Sequence, residues 1–140
     1  LGPNALGEVS RAIKSGKITC LLCDRDIGGG GIEVEFFGER TTLPAGPATL
    51  ALRTGAPLFP TAVYLRDGLV HGHVGEPIET VRTGRLRADV ERITQELAFR
   101  LEELIVPAPT QWHLMQPNWP SDYVACGIEP PTVQDHSGQD

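Results

Sequence analysis

The segment that decides the fold covers residues 20–57 and reads CLLCDRDIGGGGIEVEFFGERTTLPAGPATLALRTGAP. Residues 18–23 are almost all apolar, which is typical of a strand that is covered on both faces. This run leads directly into Asp24-Arg25-Asp26 and then into four consecutive glycines. Open α/β sheets build their sites at the carboxyl ends of strands, so the polar cluster is a candidate functional site.

Three helices are predicted, two from apolar residues at spacings of three and four and one from a proline-containing start and a glycine stop. The first covers residues 5–15 and ends at Gly16, a natural helix stop. The second opens in the proline-containing residues 44–47, runs to Arg53 and is closed by Gly55, because proline is tolerated in a first turn. The longest covers residues 87–105, where charged side chains occupy the face opposite the apolar stripe. We interpret this helix as covering the core rather than lying on a membrane.

Further strands are predicted for residues 32–37, 57–65 and 69–74, and the last two are joined by a hairpin turn at Arg66-Asp67-Gly68. Together with residues 18–23, these strands alternate with helices along the chain. The sequence therefore predicts an α/β fold in which helices flank a mixed sheet.

Composition excludes some classes of protein. A chain of 140 residues fits one domain. Its formal charge of −6 argues against a nucleic-acid partner. No run of about 18 apolar residues occurs, so no membrane span is expected. The chain begins with Leu1 rather than methionine, and we expect it to be a portion of a longer protein. Residues 1–120 are assigned to its domain, and residues 121–140, rich in Pro, Gly and Asp, are predicted to be a flexible tail.

The cysteines and histidines leave one alternative open. Cys20 and Cys23, together with His71 and His73, could form a zinc site or a thiol site. Residues three apart on a strand face opposite sides, which favours small buried thiols over shared ligation, so no metal is expected. Cys126 makes the number of cysteines odd.

Within the polar cluster, one carboxylate could orient a catalytic group while Arg25 holds it through a forked ion pair. The alternative is a solvated strand end. His71 and Glu76 have a His-x4-acid spacing that acyltransferases use. However, they fall on a hairpin strand that runs into Pro77, so we interpret this pair as structural. Adjacent Phe36 and Phe37 cannot face the same side of a strand, which predicts one in the core and one in a groove or under a helix.

Three short motifs follow one another at tight spacing: Phe36-Phe37-Gly38, then PAGPA at residues 44–48, then TGAP at residues 54–57. The ending TQWHLMQPNW, residues 110–119, is equally distinctive. From residue 5 to residue 119 the chain resembles the bacterial acyltransferases related to the lipid A lauroyl acyltransferase. Within them it is most similar to the actinobacterial phosphatidylinositol mannoside acyltransferases.

This resemblance implies a glycerolipid acyltransferase-like fold that is incomplete without an N-terminal portion. It also implies transfer of a fatty acyl chain from acyl-CoA to a mannose hydroxyl of a membrane glycolipid. No cofactor is expected, since acyl-CoA is the donor substrate. The expected location is the cytoplasmic face of the plasma membrane, where the protein would be peripheral or monotopic through the missing N-terminal portion.

The resemblance also assigns roles to residues. Asp24 matches a catalytic acidic residue of the family, although glutamate is expected there in the mannoside enzymes. Arg25, Asp26 and His113 match positions that would bind substrate. The His-x4-Asp base of the family precedes this segment, and none of the chain's histidines occupies its place, so the chain alone is expected to be inactive. A non-catalytic lipid-binding or glycolipid-binding module is the alternative.

Overall fold

The computed structural model describes residues 5–129 of the chain. Four α-helices, one 3-10 turn and four strands occur in this range. In chain order they are α1 (Ala5–Lys14), β1 (Ile32–Phe36), β2 (Glu39–Leu43), α2 (Gly46–Thr54), β3 (Thr61–Arg66), β4 (Leu69–Val74), α3 (Leu86–Ile105), the 3-10 turn Pro109–Gln111 and α4 (Pro120–Cys126).

The predicted helices are confirmed with small shifts of their ends. Helix α1 stops at Lys14, and Gly16 follows in the left-handed conformation with φ of 82°. Helix α2 ends at Thr54 and is capped by Gly55, whose φ of 73° lies in the left-handed region that favours glycine. Helix α3 begins one residue earlier than predicted. Helix α3 follows from its apolar period, because it buries one stripe of side chains, and helix α2 follows from its proline-containing start and its glycine stop.

Helix α3 provides the centre of the core. Its apolar face packs on β1 and reaches α2 and β3. The core cluster consists of Val34, Phe36, Leu43, Ala48, Ile78, Val90, Ile93, Leu97, Ala98 and Leu101. No helix among residues 5–129 combines the length and apolarity that crossing a membrane requires.

Asp89 near the start of α3 is the buried charge of this core, with 1% of its surface exposed. Its carboxylate accepts hydrogen bonds from the Thr83 hydroxyl at 2.6 Å and from the backbone N–H groups of Thr83 and Gly84. Arg92 lies 3.7 Å away. The Thr83 hydroxyl bond, with the other contacts, holds the pKa of Asp89 below its ordinary value despite burial. The connection before α3 is therefore fixed to the helix by an ionised group.

The predicted mixed sheet is wrong for the described residues. The four strands form two separate antiparallel hairpins, β1–β2 and β3–β4. Each has a two-residue turn with positive φ at both positions, Phe37-Gly38 (53° and 76°) and Asp67-Gly68 (52° and 74°). This is the type I′ turn that matches the twist of strands. The β3–β4 hairpin was predicted, but β2 was not, since its sequence ERTTL lacks an apolar alternation.

Residues 18–23 do not form the predicted doubly covered strand. No strand among the described elements pairs with them, and Ile18 and Leu22 are 96% and 97% exposed. An apolar run forms a buried strand only where a neighbour supplies hydrogen bonds and both faces are covered. Neither condition is met here.

The segment predicted to be a flexible tail begins with a helix. Helix α4 occupies Pro120–Cys126 and is capped by Gly127, whose φ is 65°. Ser121 fixes it to the first hairpin by donating its backbone N–H and hydroxyl to the Glu39 carboxylate, at 2.9 and 2.7 Å. The prediction is therefore wrong for residues 121–126, while residues 130–140, including His136, lie outside the described range.

Candidate active site

Asp24 is held by a tryptophan from the far end of the chain. It is half-buried, and its Oδ2 accepts a hydrogen bond from Nε1 of Trp112 at 2.7 Å. Trp112 directly follows the 3-10 turn Pro109–Gln111, which sets the position of its indole. Hydrogen bonds to charged acceptors are stronger than neutral ones, so the indole restricts the orientation of this carboxylate.

That indole belongs to a cluster of four aromatic side chains. Phe36, Phe37, Trp112 and Trp119 contact one another, with ring centroids between 4.8 Å (Phe36–Phe37) and 6.2 Å (Phe37–Trp119). Trp119 Nε1 also donates to the backbone oxygen of Phe36 at 2.8 Å. Such tilted and edge-on pairs add stability beyond their buried area. The cluster makes a rigid support for Trp112 and, through it, for Asp24.

The prediction for the two phenylalanines is confirmed only in part. Phe36 is fully buried in the core, and Phe37 is 40% exposed. They nevertheless touch, because Phe37 is a turn residue with φ of 53° rather than a strand residue. The left-handed turn brings its ring back onto the same two tryptophans.

Asp24 lines a cavity of about 220 Å³. Its lining comes from residues 21–24, from residues 61–64 of β3, from the end of α3 and from Trp112. Most of the lining is apolar: Leu21, Leu22, Ala62, Val63, Leu101, Leu104, Ile105 and Ala108 take part. We call this cavity the Asp24 groove. A carboxylate at an apolar groove can orient a reacting polar group in surroundings of low dielectric constant.

Asp26, two residues further on, folds the glycine loop. Its Oδ2 accepts a hydrogen bond from the Gly31 N–H at 2.7 Å and another from the Thr42 hydroxyl at 3.1 Å. Gly31 is confined at this point: a Cβ there would lie 2.5 Å from the Leu43 carbonyl oxygen and 2.6 Å from Asp26. Asp26 therefore connects the loop to the first hairpin, and it is not among the residues that line the groove.

The other predicted site residues are less fixed. Arg25 is half-buried and forms no ion pair within residues 5–129, so the forked pair predicted for it is absent. His113 is exposed next to Trp112. Neither lines the Asp24 groove. Of the four residues selected from the sequence, the structure places Asp24 alone in its wall.

Cys23 is adjacent to Asp24 in the groove wall. Burial, and secondarily the negative charge of Asp24, raise the pKa of its thiol from 9.0 to about 11. A reactive cysteine has a lowered pKa, so Cys23 is the opposite of an activated thiol. Cys20 is exposed. Among the described residues, no three His, Cys, Asp or Glu side chains converge on a possible metal position.

His71 and Glu76 do not form a site in this structure. His71 lies on β4 opposite Tyr64, and both His71 and Glu76 are exposed. No hydrogen bond joins His71 to Glu76 among the described contacts. We therefore assign their His-x4-acid spacing to the hairpin and not to a catalytic pair.

Sequence reasoning missed the indole that holds Asp24. Trp112 and Asp24 are 88 residues apart. No spacing rule connects them, and the signal available was the distinctive motif TQWHLMQPNW around Trp112.

Known proteins similar to this chain agree on one family. The family described as bacterial lipid A biosynthesis acyltransferase matches residues 2–121. A phosphatidylinositol mannoside acyltransferase from Mycobacterium tuberculosis is 40% identical over 114 residues, which are 81% of this chain and 34% of that protein. One from Mycolicibacterium smegmatis is 41% identical over 103 residues, 74% of this chain and 32% of that protein.

The chain thus spans about a third of the length of these relatives. The matched residues include Asp24, the glycine loop, both hairpins, α3 and the aromatic cluster. On this match, the chain belongs to the bacterial lipid A biosynthesis acyltransferase family.

Proposed function

We propose that this chain is part of an acyltransferase that moves a fatty acyl chain from acyl-CoA to a mannose hydroxyl of phosphatidylinositol mannoside. The family match and the names of the relatives support the reaction and the acceptor. The observation that carries the proposal is the position of Asp24, a half-buried carboxylate in the wall of an apolar groove. Apolar lining suits an acyl chain, and the carboxylate suits the polar reacting end.

In such a transfer, the acceptor oxygen attacks the thioester carbonyl carbon while a base removes the hydroxyl proton. The carbon–sulfur bond then breaks, and the CoA thiolate leaves and takes up a proton. A carboxylate that acts alone is too weak a base to activate a sugar hydroxyl at neutral pH. Asp24 would therefore orient a stronger base and stabilise it once protonated.

That base would be a histidine from a part of the enzyme outside this chain. The groove lining contains no histidine within residues 5–129. We infer that the chain alone is inactive, and that the glycerolipid acyltransferase-like fold is completed by the remaining length of the enzyme. The complete enzyme would lie peripherally on the cytoplasmic face of the plasma membrane.

Arg25 and His113 would act on the acceptor. An arginine that, like Arg25, forms no ion pair within residues 5–129 is suited to phosphate, which it binds through paired N–H donors. The acceptor carries such a phosphate between inositol and glycerol. Asp26 would contribute indirectly, since its hydrogen bonds to Gly31 and Thr42 fix the loop that follows Arg25.

A non-catalytic module that binds lipid or glycolipid is the second candidate. The apolar groove favours it, and so does the missing base in its lining. The two candidates differ in one respect: only the enzyme consumes acyl-CoA.

The test uses a complete enzyme containing this chain, with palmitoyl-CoA and a mannosylated phosphatidylinositol. Asp24→Asn should lower kcat by about 100-fold or more, as loss of a group in acid–base catalysis does. Asp67→Asn is the matched control, because Asn tolerates the left-handed turn position with φ of 52°. Normal transfer by Asp24→Asn would make Asp24 structural. Binding of the glycolipid without transfer by the wild type would favour the module.

A further inference from the structure

Asp24 is the charged side chain in the lining of the Asp24 groove, and the uncharged polar side chains around it are engaged elsewhere in the chain. Their partners are the Leu104 carbonyl oxygen for Tyr64, the Leu65 backbone for Gln111, Asp24 itself for Trp112 and the Phe59 carbonyl oxygen for Thr61. The thiol of Cys23 stays protonated at neutral pH, because burial raises its pKa to about 11. A ligand that extends beyond the carboxylate therefore meets apolar side chains, which suits a hydrocarbon chain.

Asp24 is connected to the Leu65 end of β3. Gln111 pairs with the backbone of Leu65, and the next residue, Trp112, donates its indole N–H to Asp24. Ala62 lies three residues earlier on the same strand and also lines the groove. Because a strand rises about 3.3 Å per residue, Ala62 lies about 10 Å from the Leu65 end of β3.

Ala62 is the small residue on the face of β3 that packs towards α3. It lies on the same face as Tyr64, since side chains two apart on a strand point to the same side. Tyr64 is buried, and its hydroxyl donates to the Leu104 oxygen near the end of α3 at 2.6 Å. The other alanine of the lining, Ala108, accepts a hydrogen bond from the Gln111 N–H at 3.0 Å and so lies near the end that holds Gln111. A larger side chain at residue 62 would therefore fill the groove away from Asp24.

We propose that Ala62 is a specificity-determining residue, and that the size of its side chain sets how far the acyl chain of the donor extends along the Asp24 groove. The inference rests on the proposed function, since it takes an acyl donor as the ligand. An extended alkyl chain, with bonds of about 1.5 Å set at an angle, needs about eight carbons to span about 10 Å. The cavity of about 220 Å³ agrees, because it holds about seven groups of the size of a water molecule. A longer chain has to pass Ala62.

The position of Asp24 favours the acyl chain of the donor over the fatty chains of the acceptor. The acyl chain of a thioester begins at the reacting carbonyl carbon, so its first carbons lie beside the group that takes part in catalysis. In the acceptor, glycerol, phosphate, inositol and mannose separate the fatty chains from the reacting hydroxyl. An apolar groove that starts at Asp24 therefore fits the donor.

The test measures how a complete enzyme containing this chain binds two unreactive analogues of the donor. S-hexyl-CoA and S-hexadecyl-CoA are thioethers, so neither can transfer its chain. In Ala62→Leu, the Kd of S-hexadecyl-CoA should rise by about tenfold or more, because one methylene too many in an apolar pocket already has an effect of that size. The Kd of S-hexyl-CoA should change by less than about twofold, since the shorter chain ends before residue 62.

Three further variants serve as controls. Ala62→Val adds less bulk and places a β-branched residue on a strand, so it should fold and show the same length preference to a smaller extent. Ala88→Leu, an equal change at an exposed residue of α3, should leave both Kd values unchanged. Ala108→Leu, near the Asp24 end of the groove, should weaken the binding of both analogues alike.

Equal changes of the two Kd values in Ala62→Leu and in Ala62→Val would overturn the inference. A length preference in Ala108→Leu that Ala62→Leu lacks would also overturn it, because the chain would then run in the other direction. A third contradicting result is a higher KM for the glycolipid in Ala62→Leu with both Kd values unchanged. That result would assign the groove to the fatty chains of the acceptor.

Acyl transfer from hexanoyl-CoA and palmitoyl-CoA is measured on the same samples to separate the two proposals. Transfer by the wild type, with no change of length preference in Ala62→Leu, would retain the proposed function and exclude the role of Ala62. A length-dependent loss of binding in Ala62→Leu, without transfer by the wild type, would retain the role of Ala62 and favour the binding module over the enzyme.

Discussion

The side chain of Gln111 pairs with both backbone groups of Leu65 at the open edge of β3. Leu65 donates its N–H to Oε1 at 2.7 Å, and Nε2 donates to the Leu65 oxygen at 3.1 Å. Gln95 forms the same pair with Glu35 of β1, at 2.8 and 2.8 Å. Each amide therefore replaces one residue of a neighbouring strand, which limits the length of open edge available for pairing with other chains.

Replacing Gln111 by methionine should destabilise the chain by about 1 kcal/mol, since two exposed hydrogen bonds are lost while the length of the side chain is kept. The midpoint of urea unfolding should fall, and self-association should rise as the edge at Leu65 opens. Gln116→Met is the control, because Gln116 is exposed and makes no hydrogen bond among the described contacts. Equal midpoints for the two variants would show that the amide contributes nothing.

Gly31→Ala should destabilise the glycine loop by about 1–3 kcal/mol, the usual cost of forcing an extra atom into a filled space. The added methyl would meet the Leu43 carbonyl oxygen, which belongs to the backbone and cannot move aside, as well as Asp26. Gly28→Ala, in the same loop, meets nothing within 4 Å and should change stability little. Thermal unfolding of both variants checks this, and a Gly31→Ala protein as stable as Gly28→Ala would refute the close approach.

Local patterns predicted the parts of the fold that local interactions determine. The apolar period of α3 placed it within one residue, and Asp67-Gly68 predicted the β3–β4 turn. The strand predicted for residues 18–23 was wrong, because an apolar run does not reveal whether a neighbouring strand is present in the same chain. Helix α4 was missed because its seven residues carry no strong period, and its contact with Glu39 spans 82 residues.

The candidate site was likewise predicted only in part. Asp24 was selected because it follows an apolar run and matches a family position, and the structure places it at a groove. The ion pair predicted for Arg25 and the partner of Asp24 depended on three-dimensional neighbours. Such neighbours follow from packing, which sequence spacing does not encode.

Stability should fall as pH rises from about 9 to about 11, because the thiol of Cys23 keeps its proton in the native state up to a pKa of about 11. The unfolded thiol loses its proton at lower pH, so in this interval the native state binds more protons and rising pH favours unfolding. The loss should be on the order of 2 kcal/mol. Urea unfolding between about pH 8.5 and about pH 11 measures this loss of unfolding free energy.

Cys23→Ala should flatten that pH dependence, whereas Cys20→Ala should preserve it, since Cys20 is exposed. A wild-type profile that stays unchanged in Cys23→Ala would assign the effect to other groups.

Trp112→Phe should lower both the stability and the activity of a complete enzyme containing this chain. The ring remains for the aromatic cluster, but the 2.7 Å hydrogen bond to Asp24 is lost. Loss of a partner for a half-buried carboxylate costs about 1–3 kcal/mol of unfolding free energy. If Asp24 orients the base, kcat should fall by about tenfold or more, because a misplaced catalytic group slows the chemical step.

Trp119→Phe is the matched control for this effect. It removes an indole hydrogen bond of similar length, 2.8 Å, to the Phe36 carbonyl oxygen, within the same cluster but away from Asp24. Both variants should therefore lose stability, while only Trp112→Phe should lose kcat when the two are compared at equal folded fraction. Equal losses of kcat would mean that the cluster acts as a whole through packing. A normal kcat in Trp112→Phe would mean that Asp24 is oriented by other contacts in the groove.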